Sequence, residues 1–117
     1  MSVPEHNLRI DYLEFPARDI EATKTFYKDV FGWQFEDYGP RYTSFLDGRL
    51  SGGFFQSDDV HTGGPLVVIY ATELERMQDK VTAAGGRITK DIFDFPGGRR
   101  FQFLDPSGNE LAVWSNV

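Results

Sequence analysis

The sequence predicts an α+β chain built from two tandem strand–helix–strand–strand–strand modules, and three observations predict it. Two amphipathic helical segments open and close at the same interval: Asp19 and Gly32 bound the first, and Thr72 and Gly85, each 53 positions later, bound the second. Strand-like segments precede and follow both. The turn sequence Phe45-Leu46-Asp47-Gly48 is matched by Phe103-Leu104-Asp105-Pro106-Ser107-Gly108. Repetition at a fixed interval is the mark of a duplicated supersecondary unit.

Taken in order, Leu8-Arg9-Ile10-Asp11-Tyr12-Leu13-Glu14-Phe15 reads as the first strand, ended by Pro16. Asp19 is a good helix N-cap, Ile20, Thr23, Phe26, Tyr27, Val30 and Phe31 form one stripe, and Gly32 is a natural stop. Trp33-Gln34-Phe35-Glu36 alternates as a short strand. Tyr42–Leu46 and Gly53–Gln56 are then joined by the Asp47-Gly48 turn. The second module opens with Leu66-Val67-Val68-Ile69-Tyr70, apolar on both faces. Thr72 and Glu75 are expected to form a capping box for a helix carrying Leu74, Met77, Val81 and Ala84. Gly86–Thr89 follows it. Phe101–Leu104 and Glu110–Trp114 flank Asp105-Pro106-Ser107-Gly108, a sequence suited to a type I turn.

One module is too small to bury its sheet and its helix. Packed side by side, two are expected to form one curved, roughly eight-stranded mixed sheet around a cavity, with the helices outside. The expected organisation is a single domain over residues 1–117, with module one at about 8–57 and module two at about 65–117. The polar, Gly-rich stretch Ser57–Gly64 connects them.

Composition narrows the chemistry. With no cysteine and only two histidines in 117 residues, thiolate metal sites, iron–sulfur clusters and cysteine nucleophiles are excluded. Twelve basic against eighteen acidic residues, a net charge of −6, argue against nucleic acid as a partner. The N-terminus has no signal-like segment, and no apolar run is long enough to span a bilayer. The expectation is therefore a soluble, cytoplasmic protein without a membrane partner. Eleven Phe, five Tyr and two Trp make 15% of the chain aromatic, either as a ring-rich core or as the lining of a ligand cavity.

Three motifs resemble the vicinal oxygen chelate superfamily, which groups glyoxalases, bleomycin-resistance proteins and extradiol dioxygenases. They are Glu14-Phe15-Pro16-Ala17-Arg18-Asp19, Phe26-Tyr27-Lys28-Asp29-Val30-Phe31-Gly32-Trp33, and Arg100-Phe101-Gln102-Phe103-Leu104-Asp105-Pro106-Ser107-Gly108-Asn109-Glu110. With the paired modules the resemblance covers nearly the whole chain. It implies a small-molecule ligand, a homodimer and, in metal-using members, four inward strand positions holding a divalent ion. Counted from the helix caps and turns, those positions fall on Tyr12, Leu66, Ala112 and Phe54, the Gly52-Gly53 pair making the last register less secure. Leu and Ala have no donor atom, and a neutral phenol is a poor ligand beside carboxylate or imidazole. No metal and no cofactor is therefore expected there.

Strand alternation places further residues on the same inner face. Glu14 lies beside Tyr12, Gln56 beside Phe54, Val68 and Tyr70 beyond Leu66, and Glu110 and Trp114 around Ala112. Glu14, walled by Tyr12, Phe54 and Trp114, is the candidate general base, its pKa expected to rise with desolvation, and Tyr12 the candidate hydrogen-bond donor. The alternative for Glu14 is a solvated strand end or a pairing with Arg. Tyr12, Tyr70 and Trp114 are equally readable as core rings, and Glu110 as solvent-exposed. Arg99 and Arg100, after the flexible Pro96-Gly97-Gly98, either clamp a ligand anion or pair with surface acids. Asp58, Asp59 and His61 read as a solvated loop, and His6 is assigned nothing.

Three functions remain. The first is a binding protein like the bleomycin-resistance members, favouring flat cationic ligands. The second is a metal-independent isomerase or lyase using Glu14. The third is a metal enzyme, a lyase or dioxygenase with atypical ligands such as Glu14, Gln56 and Glu110.

Overall fold

The computed structural model describes residues 4, 7, 8, 10–63 and 65–117; His6, Arg9 of the expected first strand and Gly64 of the connector lie outside the described residues. The chain divides into two compact units, Met1–Asp59 and Val60–Val117. Each is a strand, a helix and three strands. Unit one contains β1 (Tyr12–Ala17), α1 (Ile20–Phe31), β2 (Gln34–Asp37), β3 (Tyr42–Leu46) and β4 (Ser51–Gln56). Unit two contains β5 (Val67–Tyr70), α2 (Leu74–Ala83), β6 (Arg87–Phe95), β7 (Gly98–Leu104) and β8 (Glu110–Ser115). The eight expected strands are hydrogen-bonded as two four-stranded sheets, ordered β1-β4-β3-β2 and β5-β8-β7-β6.

In both sheets the last strand of the module runs parallel to the first and antiparallel to the third. The helix and the two strands after it make up the long connection that parallel pairing requires. α1 begins as the sequence predicts: Asp19 Oδ1 accepts from the Ala22 N–H at 3.0 Å, and Gly32, at φ 74°, takes the left-handed stop. At the end of α2 the Gly86 N–H donates to Val81 O at 2.8 Å and that of Gly85 to Thr82 O at 3.1 Å, a Schellman closure. The capping box of Thr72 and Glu75 does not form. Glu73 occupies the N-cap without a side-chain hydrogen bond, and the Glu75 carboxylate is taken by Arg99 from β7.

The first strand also differs from its expected limits. It starts at Tyr12 rather than Leu8 and runs through Pro16 to Ala17. Among the described residues β1 is an edge strand paired with β4 alone, and an edge strand tolerates a missing N–H. β6 extends far beyond Thr89, and Pro96-Gly97 is a tight hairpin turn because Phe95 pairs with Gly98, not the flexible loop expected.

The two modules bury different cores. In the first, rings dominate: Tyr27 lies 4.7 Å from Trp33, Trp33 4.5 Å from Phe45, and Phe54 5.1 Å from Tyr27 and 5.5 Å from Phe15. In the second, Leu74 and Val81 of α2 are buried with Phe101, Phe103, Leu111 and Val113 of the sheet. Each module repeats its turn chemistry. Asp47 Oδ1 accepts from the Arg49 and Leu50 N–H groups at 2.8 and 2.6 Å. The buried Asp105 Oδ1 accepts from Ser107, Gly108 and Asn109, each at 2.9 Å. Among the described residues no helix is long and apolar enough to cross a membrane.

Phe54 is fully buried whereas its neighbour Phe55 is exposed. Phe54→Ala should therefore cost about 3–5 kcal/mol, and Phe55→Ala about 1 kcal/mol or less. Urea unfolding of the two variants measures the difference.

Candidate functional site

Each sheet has a face turned to its helix and an opposite face. Cross-strand register identifies the latter in the first sheet. Glu14 pairs with Gly53, Gly53 with Ser44 and Ser44 with Glu36; Tyr12 pairs with Ser51 and Tyr42 with Phe55. All these side chains share one face, since paired residues point the same way and alternation has period two.

Phe54 and Gln56 were expected on this face, and the register places them on the other. Phe54 pairs with Phe15 and Gln56 with Ala17, and Phe54 fills the core against α1. The reason is one residue of turn length. Four residues separate paired Leu46 and Ser51, whereas five separate paired Leu104 and Glu110. A slip of one residue reverses every side chain downstream, so the counterpart of Ala112 is Gly53. The ladder runs through Gly52-Gly53 without a bulge.

The two glycines serve opposite faces. A Cβ on Gly52 would collide with Leu13 O and the Phe45 ring; one on Gly53 would collide with the Tyr42 hydroxyl and crowd that of Tyr12. Gly53 thus makes room for a hydrogen-bonded chain over the strand. Tyr42 Oη donates to Glu14 Oε2 at 2.9 Å, and the two phenol oxygens of Tyr12 and Tyr42 lie 2.6 Å apart. Tyr42 has one proton and gives it to the carboxylate, so Tyr12 donates to Tyr42. Burial, then the hydrogen bonds to Tyr12 and Glu14, hold the Tyr42 phenol well above its ordinary pKa of 10. Glu14 is exposed, so the desolvation expected from a wall of rings is not present. The chain leaves this face rich in acceptors.

In the second sheet the corresponding face carries Val68, Ala112 and Gln102 in one row and Tyr70, Trp114 and Arg100 in the next. Leu66 is half-buried just before β5, and Ala112 is fully buried. Tyr70 donates to Asn116 Oδ1 at 2.7 Å and meets half-buried Trp114 edge-on at 5.2 Å. Glu110 Oε2 accepts from Thr89 at 2.9 Å and Gln102 at 3.2 Å. Arg99 and Arg100 part company. Arg99 points to the helix side and pairs with Glu75, whose carboxyl it holds below the usual range. Arg100 lies against the rings of Phe93 and Phe95, with guanidinium-to-centroid distances of 5.3 and 5.8 Å.

By this register, the four positions that the resemblance implies for a metal become Tyr12, Gly53, Leu66 and Ala112. One phenol, already hydrogen-bonded, and three positions without a donor atom do not fit a divalent cation. Among the described residues no group of three His, Asp or Glu side chains could hold one. The atypical set fails locally as well, since Glu14 and Gln56 lie on opposite faces of the first sheet.

Sequence reasoning missed Tyr42, Lys90, Phe93 and Phe95. The alternation of Tyr42 with Ser44 and of Phe93 with Phe95 was the available signal. Which face each pair took depended on cross-strand pairing.

A family model described as the Glyoxalase/Bleomycin resistance protein/Dioxygenase superfamily matches residues 9–113. A glyoxylase-like domain-containing protein of Didymella fabae is 27% identical over 117 residues, covering 90% of this chain and 91% of its own. The putative glyoxylase CFP32 of Mycobacterium tuberculosis is 24% identical over 115 residues, covering 89% of this chain, which spans only 44% of that relative's length. Among solved structures, a glyoxalase/bleomycin resistance protein/dioxygenase family enzyme from Burkholderia phytofirmans PsJN superposes with a TM-score of 0.81 at 20% identity, covering 92% of this chain and 100% of its own.

The Tyr42 phenol titrates above its unfolded value, so the fold favours the protonated form. That stabilisation is complete below about pH 10 and is lost as pH rises through the raised folded pKa. Ultraviolet titration should show one tyrosine ionising after the other exposed phenols, and Glu14→Gln or Gly53→Ala should bring it earlier. An unchanged titration in both variants would contradict the chain of hydrogen bonds.

Proposed function

This chain belongs to the Glyoxalase/Bleomycin resistance protein/Dioxygenase superfamily, and from that premise we propose that it is a small-molecule-binding member in which the usual metal positions have been given up. The observation that carries this reading is the row Tyr12, Glu14, Gly53 and Tyr42. At the place where relatives put metal donors, this chain has a glycine, over which two phenols and a carboxylate join. Such a face is suited to a ligand offering hydroxyl or amine donors, which Glu14 Oε1 can accept, with aromatic surface beside it.

A second reading is favoured by the same carboxylate. Glu14 is exposed and oriented through one oxygen by Tyr42, leaving Oε1 without a partner among the described residues. An oriented carboxylate with a free oxygen is the minimum equipment of a general base, so a metal-independent isomerase or lyase is the alternative. Tyr12 then acts by positioning Tyr42, since its own proton is engaged. A homodimer belongs to the proposal as well, and sedimentation tests it.

A thermal-shift screen of small molecules tests the binding reading. A ligand at about a hundredfold excess over its Kd should raise the unfolding midpoint by on the order of 10 °C. Glu14→Gln should weaken ligands that carry donors. Elemental analysis of purified protein should find no divalent metal in stoichiometric amount, and added Ni²⁺, Zn²⁺, Fe²⁺ or Mn²⁺ should leave the midpoint unmoved. A screen without any stabilising compound, or a stoichiometric metal, would overturn the proposal. Turnover of a bound compound that Glu14→Gln abolishes would establish the second reading over the first.

A further inference from the structure

Arg100 is a half-buried cation without a counter-ion among the described residues. Its neighbour Arg99 is saturated by Glu75 and the Val117 carbonyl, whereas no carboxylate reaches Arg100 among the described residues. Its Nε is shut from solvent and has no hydrogen-bond partner among the described residues. Lys90 lies over the same Phe93 ring, its Nζ 5.9 Å from the centroid, and it too has no ion pair among the described residues. In a chain with eighteen acidic residues and a net charge of −6, two cations share one ring, while Glu110, the carboxylate on the same face, accepts from Thr89 and Gln102 instead. Trp114, the cross-strand partner of Arg100, stands beside them with Tyr70 against its ring.

The rings do two things to this charge. They hold the guanidinium by cation–π contact, and they displace the water that would screen it, which strengthens its attraction for an anion. A guanidinium presents a planar fork that matches a carboxylate. The adjoining indole and phenol, meeting edge-on, offer apolar ring surface beside it. All of this lies within the second module, on the sheet face turned from α2.

We propose that this corner is a subsite for the carboxylate of a planar aromatic acid, with Arg100 as the fork, Lys90 as a second charge and the edge-on Trp114–Tyr70 pair as the apolar ring contact. The proposal rests on the small-molecule reading above and supplies a ligand class for it. It reverses the polarity expected from composition: flat cations are repelled here, despite the acidic balance of the chain.

Isothermal titration with three probes of one ring system provides the test: 2-naphthoate, the neutral 2-naphthamide and the cationic 2-naphthylmethylamine. Wild-type protein should bind the acid about tenfold or more tighter than the amide, with the cation weakest. Raising salt from about 50 to about 500 mM should shrink that preference. Arg100→Gln should bring acid and amide within about twofold of each other, and Arg100→Lys should keep part of the preference, because it keeps the charge and loses the fork. Equal affinity for acid and amide in wild-type protein, no binding of the acid at millimolar concentration, or a preference that survives Arg100→Gln would overturn the subsite. The wild-type comparison needs no substitution, so a variant that fails to fold leaves the test standing. If neutral or cationic compounds stabilise the protein and the acid does not bind, the subsite falls and the small-molecule reading stands. If no compound of any class binds, both fall.

Discussion

The parallel pairing of each module's last strand with its first is the constraint on which the rest depends. It places β4 and β8 inside their sheets, bonded on both sides, and obliges the helix to carry the chain from one edge of the sheet to the other, between two strands that run the same way. It also makes β1 an edge, which is why Pro16 can sit within it. Above all, it ties the pleat of four strands together. Once Glu14 is opposite Gly53, and Gly53 opposite Ser44, the facing of every other residue in that sheet is settled.

This explains where the unusual number of rings goes. In the first module most of them lie between sheet and helix, where Phe15, Tyr27, Trp33, Phe45 and Phe54 stack at close range. They compensate a small module with large side chains, each burying far more apolar surface than a Val or Ala would. Gly52 is part of the same packing, since the Phe45 ring occupies the space of its absent side chain. The rings on the opposite faces are fewer, and several carry polar partners. Tyr12 and Tyr42 form a chain ending on Glu14, and Tyr70 and Trp114 stand by Arg100. The two modules therefore diverge electrostatically from a common plan, the first presenting acceptors and the second a cation with no ion pair among the described residues.

Much of the fold was legible because its signals are local. Asp19 and Gly32 delimit α1 through hydrogen bonds that span a single turn of helix, and Gly85 ends α2 in the same way. The Asp105 turn is encoded within five consecutive residues. The capping box at Thr72 misled because Glu75 had a stronger partner in Arg99, 24 positions away. The length of β6 was hidden because its second half is held by β7 and not by any pattern of its own.

The candidate site was half legible. That Leu66 and Ala112 offer no metal donor follows from residue identity alone. Phe54 went to the wrong face because counting from Asp47 assumed that both turns had equal length. By itself the sequence determined the duplicated module, the limits of α1 and the scarcity of metal-ligating side chains, all properties of residue type and near spacing. Only the tertiary structure decided that Gly53 replaces Phe54 opposite Glu14, that Tyr42 links Tyr12 to the carboxylate, and that Arg99 and Arg100 face opposite ways. Those outcomes depend on strand register, which hydrogen bonds between distant segments set, and a shift of one residue in that register turns a core ring into a site ring.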